Sequence, residues 1–323
     1  MDMLTQRNPD RDAFMRKYNA GFLTEVGAQS VACLCGSTRV IKLFEKDRYG
    51  LKSPTVVCRH CGLVFTSPRP SEAFMRHFYQ SDTYRVFYEE AGESDLAARL
   101  APKYKTQSFI HATCMKHLRP HAGRKSRVLE VGAGGGWNLL PFAASCEVIG
   151  IDYSPILCDL GRAHDIKMIQ GGLEHLNGLM GEFDLIIVNH VIEHFFDFAG
   201  SMRALIAKLA PGGIVYVGVP DIYFYDISQI QNAHNYYFSP PTLAHYCARL
   251  GLSLVEGGRD DSGLHQYGVF RVGEAKPTSL SSEYRLISRK HRDYTFKSLI
   301  SSLLGGLGLR NVVRAVRRSL RES

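Results

Sequence analysis

Between residues 127 and 220 the chain repeats one pattern, in which a short apolar run is followed by a turn and often by a helical stretch. The apolar runs cover 127–132, 146–152, 167–171, 183–190 and 213–220. They lack the polar–apolar alternation of a half-exposed strand, which is typical of parallel strands buried on both faces. The alternation of strands with helices predicts βαβ units. A helix at 242–250 and two more strand-like runs complete an α/β domain over 123–275.

A different pattern covers residues 31–70, where short strand-like runs surround two Cys-Gly turns. Cys33-x-Cys35-Gly is followed, after 22 residues, by Cys58-x-x-Cys61-Gly. This arrangement resembles a zinc ribbon, in which four thiolates hold a tetrahedral zinc ion. So small a module would take its folding energy from the metal, and a closed four-ligand site predicts a structural role. The alternatives are His60 as a substitute ligand, or two Cys-Gly turns with reduced thiols.

The remaining segments are a polar leader at 1–30, an aromatic-rich helical linker or lid at 71–122 and a basic tail at 276–323. The net charge is +8, and the tail carries eleven Lys and Arg residues against three acidic ones. The rest of the chain is therefore neutral overall, which makes nucleic acid an unlikely partner despite the basic pI. No apolar run has the length of a membrane span, and the start lacks a secretory signal, so we expect a cytoplasmic protein.

The end of the tail has the pattern of an amphipathic basic helix. Its arginines are Arg310, Arg314, Arg317, Arg318 and Arg321, and its apolar stripe is Leu309, Val312, Val313, Val316 and Leu320. Such a helix can lie on an anionic membrane surface. It can equally pack on the protein or on a partner, or remain a solvated end. All three interpretations stay open on the sequence alone.

The sharpest chemical signal is the run from Glu130 to Gly136, EVGAGGG, directly after an apolar strand. Its glycines allow a tight turn and a close approach of the backbone to a ligand. A helix from about Trp137 would point its N-terminus at that ligand. Asp152 ends the next strand, 20 residues after Gly132, where a carboxylate can bind both hydroxyls of a ribose. NAD and S-adenosylmethionine (SAM) both carry such a ribose, so these features leave the cofactor open.

The full order of motifs resembles the class I SAM-dependent methyltransferase family from about residue 127 to about residue 272. These motifs are ExGxGxG, GIDYS, QGGLEHL, FDLIIVNHVIEH and LAPGG. The resemblance implies a Rossmann-like α/β fold with a mostly parallel seven-stranded sheet, and SAM as the cofactor. It assigns to the cofactor site Glu130, Gly132, Ala133, Gly134, Gly136, Asp152, Tyr153, Leu173 and Asn189.

Within that assignment the glycines line the methionine and sugar side of SAM, and Asp152 binds the ribose. Tyr153 stacks near the adenine, the backbone of Leu173 contacts the adenine edge, and Asn189 lies near the methionine end. The sequence departs from the family at Gly172, where an acidic residue often pairs with the adenine amino group. Glu174 or the backbone must then supply that contact.

Two stretches offer residues for chemistry on the acceptor. The first is the end of the fourth predicted strand, where a helical turn would place His190, Glu193 and His194 on one face. These residues can support the SAM pocket, act as a general base or hold a divalent metal. The second is the segment around His234, our first choice for a base. Its proposed pocket walls are Tyr223, Tyr225, Tyr236 and Tyr237.

The pattern H-x-x-x-F-S-P-x-T-L, from His234 to Leu243, resembles a group of these enzymes that act on sugars and glycans. It implies a small-molecule acceptor, such as a nucleotide sugar or a bacterial surface glycan precursor. The alternative is that His234 caps the following helix and the nearby aromatics only pack.

The stretch CGLVFTSPRP also resembles the zinc module of sugar methyltransferases, including nucleotide-sugar C-methyltransferases. The further C-terminal domain of those C-methyltransferases does not fit in this chain, so O-, N- and C-methylation all stay open.

Two rival functions remain. One is an RNA or protein methyltransferase that grips its substrate with the zinc module and tail, and the other is a non-catalytic SAM-binding scaffold. The sequence does not predict an oligomeric state.

Overall fold

The computed structural model describes residues 9–81, 84, 87, 98, 118, 123, 125–260 and 263–306. The amphipathic segment from Leu309 to Arg321, predicted as a membrane-surface or packing helix, lies outside the described residues. So does most of the predicted helical linker after residue 81. Among the described helices, none combines the length and apolar character that crossing a membrane requires.

The described strands and helices follow the predicted alternation closely. The strands are β1 Val40–Lys46, β2 Lys52–Cys58, β3 Val64–Thr66, β4 Arg127–Val131, β5 Glu147–Asp152, β6 Lys167–Gln170, β7 Phe183–Asn189, β8 Leu209–Pro220, β9 Tyr236–Tyr237, β10 Leu252–Arg259 and β11 His265–Val272. The α-helices are α1 Pro9–Ala20, α2 Glu72–Gln80, α3 Leu140–Ala143, α4 Pro155–Arg162, α5 Phe198–Ile206, α6 Pro240–Ala248 and α7 Glu283–Gly306.

A seven-stranded sheet with the order β10-β11-β8-β7-β4-β5-β6 forms the centre of the molecule. Its strands from β8 to β6 are parallel, and β11 and β10 extend the sheet antiparallel beyond β8. The central strands β4 and β7 are buried almost throughout, which explains their unbroken apolar character. The predicted fold class, a Rossmann-like core with a mostly parallel seven-stranded sheet, is confirmed.

The strand order reverses at β4, because the chain first builds β5 and β6 on one side and then β7 and β8 on the other. In open α/β sheets the crevice for a ligand lies outside the carboxyl ends of the strands at such a reversal. The glycine run follows β4 and the residues from His190 follow β7. The topology therefore brings the two strongest sequence signals to one crevice.

The cysteine-containing segment forms a second, antiparallel sheet with the order β1-β2-β3-β9. The fourth strand comes from far along the chain, because Val64 pairs with Tyr237 and Phe65 pairs with Tyr236. This segment is therefore joined to the larger domain through a shared sheet. A further tie is Arg69, whose guanidinium donates to the Phe196 carbonyl oxygen at 2.7 Å.

Helix α7 lies against this second sheet and is anchored at its first residue. Glu283 is buried, and its carboxylate accepts hydrogen bonds from the hydroxyls of Tyr223, at 2.7 Å, and Ser239, at 2.6 Å. Further along the helix, Ile287 is fully buried. The first turns of α7 thus pack on the protein itself, whereas Phe296, Leu299 and Leu303 further along the helix are exposed.

Candidate active site

The glycine run turns sharply after β4. Gly132 and Gly134 have φ values of 66° and 55°, in the left-handed region that favours glycine. A Cβ on Gly134 would also overlap the ring of Trp137. The expectation of a helix starting near Trp137 is wrong, because turns occupy this stretch and α3 begins only at Leu140. The turn after β4, and not the start of a long helix, therefore forms this side of the crevice.

Asp152, at the end of β5, ties this loop to the neighbouring strand. Its Oδ2 atom accepts a hydrogen bond of 2.8 Å from the N–H of Gly134, and its Oδ1 atom accepts one of 2.9 Å from the N–H of Ser154. The carboxylate is thereby oriented at the carboxyl edge of the sheet. This is the position at which doubly wound folds bind the hydroxyls of a nucleoside ribose.

Two acceptor atoms lie unpaired on the neighbouring strands β4 and β7. Glu130 accepts a 2.6 Å hydrogen bond from the side-chain amide of Asn138 on Oε1, whereas its Oε2 atom has no partner among the described residues. The same is true of Oδ1 of Asn189. Burial raises the pKa of Glu130 to about 8, against the effect of the Asn138 hydrogen bond. The ammonium group of the methionine part of SAM fits these acceptors, and its positive charge would favour the ionised form of Glu130.

The departure from the family pattern at Gly172 has a steric cause. A Cβ at this position would collide with the hydroxyl of Tyr153, so an acidic side chain there would require the Tyr153 side chain to move. Instead Glu174 folds back, and its carboxylate accepts a 3.1 Å hydrogen bond from the N–H of Gly172. Leu173 begins the short 3₁₀ helix Leu173–Gly178 beside them. The predicted adenine contacts of Tyr153 and Leu173 remain predictions.

The chain leaves β7 through a strained residue. His190 has a φ of 55°, an uncommon value for a non-glycine residue, and its N–H donates to the Gly218 carbonyl oxygen at 2.8 Å. The following 3₁₀ turn, Ile192–His194, brings Oε1 of Glu193 to 3.3 Å from Nδ1 of His190. Strain of this kind concentrates at functional sites, where the surrounding structure holds it in place.

His194 faces away from His190 and towards His234. The two imidazole ring centroids lie 4.9 Å apart. The predicted single face of His190, Glu193 and His194 is thus only partly present, because His190 and His194 diverge on either side of Glu193. Glu193, His194 and His234 instead form one group, in which one potential ligand atom from each lies within 4.8 Å of the others. We call these three residues the EHH cluster.

Asn235 holds the two parts of the EHH cluster together. Its backbone N–H donates to the Glu193 carbonyl oxygen at 2.7 Å, and its side-chain amide donates to the His194 carbonyl oxygen at 2.8 Å. From the other side, the hydroxyl of Thr66 donates to the carbonyl oxygen of His234 at 2.7 Å. The cysteine-containing segment therefore helps to position a residue of the candidate active site.

The EHH cluster is buried and electrostatically unusual. Burial lowers the pKa of His234 to about 3, so the imidazole is neutral near neutral pH. Burial alone would raise the pKa of Glu193, but the approach of His190 and the charges of His194 and His190 outweigh it and lower the pKa to about 2. An ionised carboxylate and a neutral imidazole therefore lie side by side, both buried.

His234 does not cap the following helix α6, because another residue, Ser239, does so. Ser239 caps α6, because its hydroxyl accepts from the N–H of Thr242 while the Thr242 hydroxyl accepts from the N–H of Ser239. His234 lies five positions earlier in the chain. A role of His234 as base stays a prediction.

The four tyrosines expected to line the acceptor pocket make other contacts. The hydroxyl of Tyr223 binds Glu283, and that of Tyr225 lies 2.9 Å from Nδ1 of His291, so both turn towards α7. Tyr236 and Tyr237 are buried in the strand β9, and the Tyr237 hydroxyl donates to the Gln231 carbonyl oxygen at 2.9 Å. This packing differs from the expectation of pocket walls, and any acceptor contact by these residues stays a prediction.

The four cysteines of the predicted zinc site converge in space. The Sγ atoms of Cys33 and Cys61 lie 3.4 Å apart, those of Cys35 and Cys58 lie 3.6 Å apart, and all four lie within 4.8 Å of one another. The hydroxyl of Tyr246 donates to the Sγ atom of Cys61 at 3.1 Å. The hydrogen bonds among Cys33, Cys58 and Cys61 lower the pKa of Cys58 and, together with burial, raise the pKa of Cys33 and Cys61.

Positive charge lies beside this cysteine cluster. A cavity of about 700 Å³ next to it is lined by Cys35, His60 and three arginines, Arg39, Arg59 and Arg285. A zinc ion with four thiolates carries a net negative charge, which such side chains would offset. The donor set and its surroundings therefore fit a closed zinc site.

Three residues that the sequence analysis passed over prove important for the site: Asn138, Tyr79 and Asn235. Asn138 binds Glu130, the Tyr79 hydroxyl lies 3.0 Å from Nδ1 of His194, and Asn235 joins the EHH cluster. Asn138 follows the glycine run and Asn235 follows His234. Their position in the sequence next to predicted site residues could therefore have identified them as site residues. The partner of Tyr79 is 115 residues away, and no local pattern indicates it.

The fold and the crevice together define an α/β protein built to hold a nucleoside-containing ligand at the carboxyl edge of its sheet. Residues 94–256, about half of the chain, match the family described as "Methyltransferase domain", and the chain belongs to this family.

Named relatives are more distant. The chain is 26% identical to a ubiquinone biosynthesis O-methyltransferase of Methylobacterium sp. (strain 4-46) over 142 residues, which are 41% of this chain and 57% of the relative. It is 31% identical to the enzyme of the same name from Methylocella silvestris over 99 residues, 28% of this chain and 38% of the relative. The chain thus spans only part of the length of these curated relatives.

Among solved structures, the chain is similar to magnesium protoporphyrin IX methyltransferase from Synechocystis PCC 6803 with bound SAH, with a TM-score of 0.45 and 12% identity. The alignment covers 62% of this chain and all of that one.

Proposed function

We propose that the protein is a SAM-dependent methyltransferase that transfers the methyl group to an oxygen of a small molecule. The observation that carries the proposal is the crevice at the strand reversal. There the glycine loop is tied to Asp152, while acceptor atoms of Glu130 and Asn189 lack partners among the described residues. SAM offers a ribose diol to the first group and an ammonium to the second. Its sulfonium supplies an activated methyl group when bound.

The protein's own contribution to the reaction is positioning and removal of a proton. Within the EHH cluster, Glu193 and His194 follow β7 and His234 follows β8, on the same edge of the sheet as the glycine loop, where an acceptor would approach the methyl group. Alignment of an acceptor oxygen with a leaving group supplies much of the rate enhancement in such transfers. The carboxylate of Glu193 and the neutral imidazole of His234 can accept a hydrogen bond from the acceptor hydroxyl and so direct its proton, while their low pKa values make them weak proton acceptors.

Oxygen is favoured as the methylated atom by the names of the relatives, which are O-methyltransferases of ubiquinone biosynthesis. A sugar hydroxyl remains our first proposal for the acceptor, supported by the H-x-x-x-F-S-P-x-T-L pattern around His234. A phenolic hydroxyl is the second candidate, because phenols are the more acidic hydroxyl class. Peripheral contact of the residues after 306 with a membrane also stays a prediction.

We further propose that Cys33, Cys35, Cys58 and Cys61 hold a structural zinc ion. The mutual distances of their Sγ atoms and the hydrogen bond of Tyr246 to Cys61 support this ligand set. The bound ion would stabilise the sheet that includes β9, and would thereby hold His234 in place through the Thr66 contact.

The test of the proposed activity has two stages. Calorimetric titration with SAM and S-adenosylhomocysteine should show binding of both compounds by the full chain. Incubation with methyl-labelled SAM and separate panels of nucleotide sugars and of phenols then identifies the acceptor class by label transfer. Absence of binding in the first stage would overturn the proposal. Label transfer only to RNA or protein would replace its acceptor class.

A further inference from the structure

The EHH cluster presents more unpaired polar atoms than a structural role requires. The side chain of Glu193 is 1% exposed, and neither carboxylate oxygen makes a well-formed hydrogen bond with a described residue. Burying a carboxylate costs free energy unless it is paired or coordinates a metal. His190 approaches one oxygen at 3.3 Å, which leaves the other oxygen without a described partner.

His234 presents the same feature from the opposite loop. It is 4% exposed, and its Nδ1 atom has no hydrogen-bond partner within the described part of the chain. The position of the residue is nevertheless well determined. Its backbone N–H donates to Gln231, its carbonyl oxygen accepts from Thr66, and its ring packs on that of Tyr237 at a centroid distance of 5.5 Å. An imidazole held so firmly with an unpaired nitrogen is prepared for a ligand.

The third member, His194, has its tautomer set by its neighbours. Its Nδ1 atom lies 2.8 Å from the carbonyl oxygen of Ala233 and 3.0 Å from the hydroxyl of Tyr79. A carbonyl oxygen only accepts, so Nδ1 is the donor in this contact and Nε2 is the nitrogen left to bind a ligand. Histidines that bind metals usually donate their other ring N–H to a carbonyl or carboxylate in this manner.

We propose that Glu193, His194 and His234 bind one divalent cation of the borderline class, with zinc as the first candidate. Two imidazoles and one carboxylate form a ligand set that holds zinc in catalytic sites and leaves a coordination position open. Two imidazole nitrogens with one carboxylate match a borderline dication such as zinc better than the hard dications magnesium and calcium, which prefer oxygen ligands. This site is separate from the cysteine cluster, with which it shares no ligand.

The catalytic role of this second metal site rests on the proposed function, but the binding of a metal there does not. An acceptor hydroxyl bound at the open position would lose its proton to solvent more readily, because a coordinated cation lowers the pKa of a bound oxygen. The resulting oxygen anion forms the bond to the methyl carbon, and the electron pair of the broken C–S bond stays on sulfur. The products are a methyl ether, S-adenosylhomocysteine and one proton.

The metal content of the full chain tests this proposal directly. Protein saturated with zinc and then freed of excess should contain about two zinc ions per chain, one at each site. Glu193→Gln and His234→Gln should each reduce this to about one, because a ligand is lost. His164→Gln is the matched control, since this histidine is exposed on the α4 side of the sheet, and it should retain both ions.

Cobalt distinguishes the two sites without reference to activity. Bound to the cysteine cluster, Co²⁺ gives thiolate-to-metal charge-transfer absorption, which the nitrogen and oxygen ligands of the EHH cluster cannot produce. Glu193→Gln and His234→Gln should keep that absorption and lose the second Co²⁺ binding step in a titration. Binding of S-adenosylhomocysteine and the circular dichroism spectrum serve as checks that the variants fold.

A wild-type chain that shows no second binding step in an equilibrium titration, with the thiolate site filled, overturns the metal proposal. Unchanged metal binding in both variants does the same. In either case binding of S-adenosylhomocysteine decides the proposed methyltransferase function separately, so failure of one proposal is distinguishable from failure of the other.

Discussion

The backbone N–H of Gly134 donates a 2.8 Å hydrogen bond to Oδ2 of Asp152, which joins the glycine loop to the end of the adjacent strand. This carboxylate therefore shapes the loop, and we propose that it also binds the ribose of the cofactor. We expect Asp152→Ala to abolish measurable binding of S-adenosylhomocysteine in calorimetry, because both functions are lost together. Asp159→Ala, on the exposed face of α4, should bind as the wild type does. Equal affinity of Asp152→Ala and wild type would contradict the assignment of this crevice.

Glu130 gives the stability of the protein a characteristic pH dependence. Its pKa is raised from 4.5 to about 8 by burial, so between these values the folded chain holds a proton that the unfolded chain has released. This contribution therefore favours folding at low pH and is lost as the pH rises through that window. Glutamine does not titrate, so this contribution is absent from Glu130→Gln. We therefore expect the free energy of unfolding of wild type to fall relative to that of Glu130→Gln between about pH 5 and about pH 8.

Urea denaturation of wild type and Glu130→Gln at several pH values measures this difference. Glu147→Gln is a suitable control because Glu147 is half-exposed and its pKa is lowered by Arg127. A difference between wild type and Glu130→Gln that does not change with pH would show that Glu130 is ionised in the folded protein throughout.

The sequence was informative where structure is determined locally. The buried parallel strands such as β4 and β7 follow from unbroken apolar runs, and the turn at Gly134 follows from glycines that tolerate a left-handed backbone. The convergence of Cys33 and Cys35 with Cys58 and Cys61 follows from the geometry that paired knuckles adopt.

Contacts between distant segments could not be predicted in this way. The two-residue strand Tyr236–Tyr237 pairs with β3, and no property of so short a run indicates its partner. The packing of Tyr223 and Tyr225 against α7 depends on where that helix docks. The EHH cluster likewise depends on a loop that returns 40 residues later, so only its members, and not their association, were apparent.

His234 should affect methyl transfer much more than cofactor binding. It belongs to the EHH cluster and lies in the loop after β8, not in the glycine loop, so His234→Gln should bind S-adenosylhomocysteine with unchanged affinity. Transfer to the identified acceptor should fall roughly 10²–10⁴-fold, the usual contribution of a group that manages the acceptor proton. Label-transfer assays at saturating SAM measure this, with His164→Gln as the control. Full activity of His234→Gln would remove the residue from the mechanism.

Loss of the cysteine cluster should destabilise the sheet of β1, β2, β3 and β9. Cys58→Ser removes one of four ligands, so we expect loss of the thiolate-to-cobalt absorption and a lower unfolding temperature. Cys146→Ser changes a partly exposed cysteine outside the cluster and should alter neither quantity. A chain that keeps its unfolding temperature after removal of all zinc would show that the thiols pack without needing the metal.

Glu283 should be essential for docking α7 onto the body of the protein. Its carboxylate is buried and accepts hydrogen bonds from the hydroxyls of Tyr223 and Ser239. Glu283→Ala leaves both hydroxyls without that acceptor, which we expect to cost about 1–3 kcal/mol in the free energy of unfolding. The helix should also become more sensitive to limited proteolysis. Glu274→Ala, at an exposed position shortly before the helix, is the matched control. If both variants unfold at the same urea concentration as the wild type, α7 is held by its apolar contacts, such as that of Ile287, and not by this carboxylate.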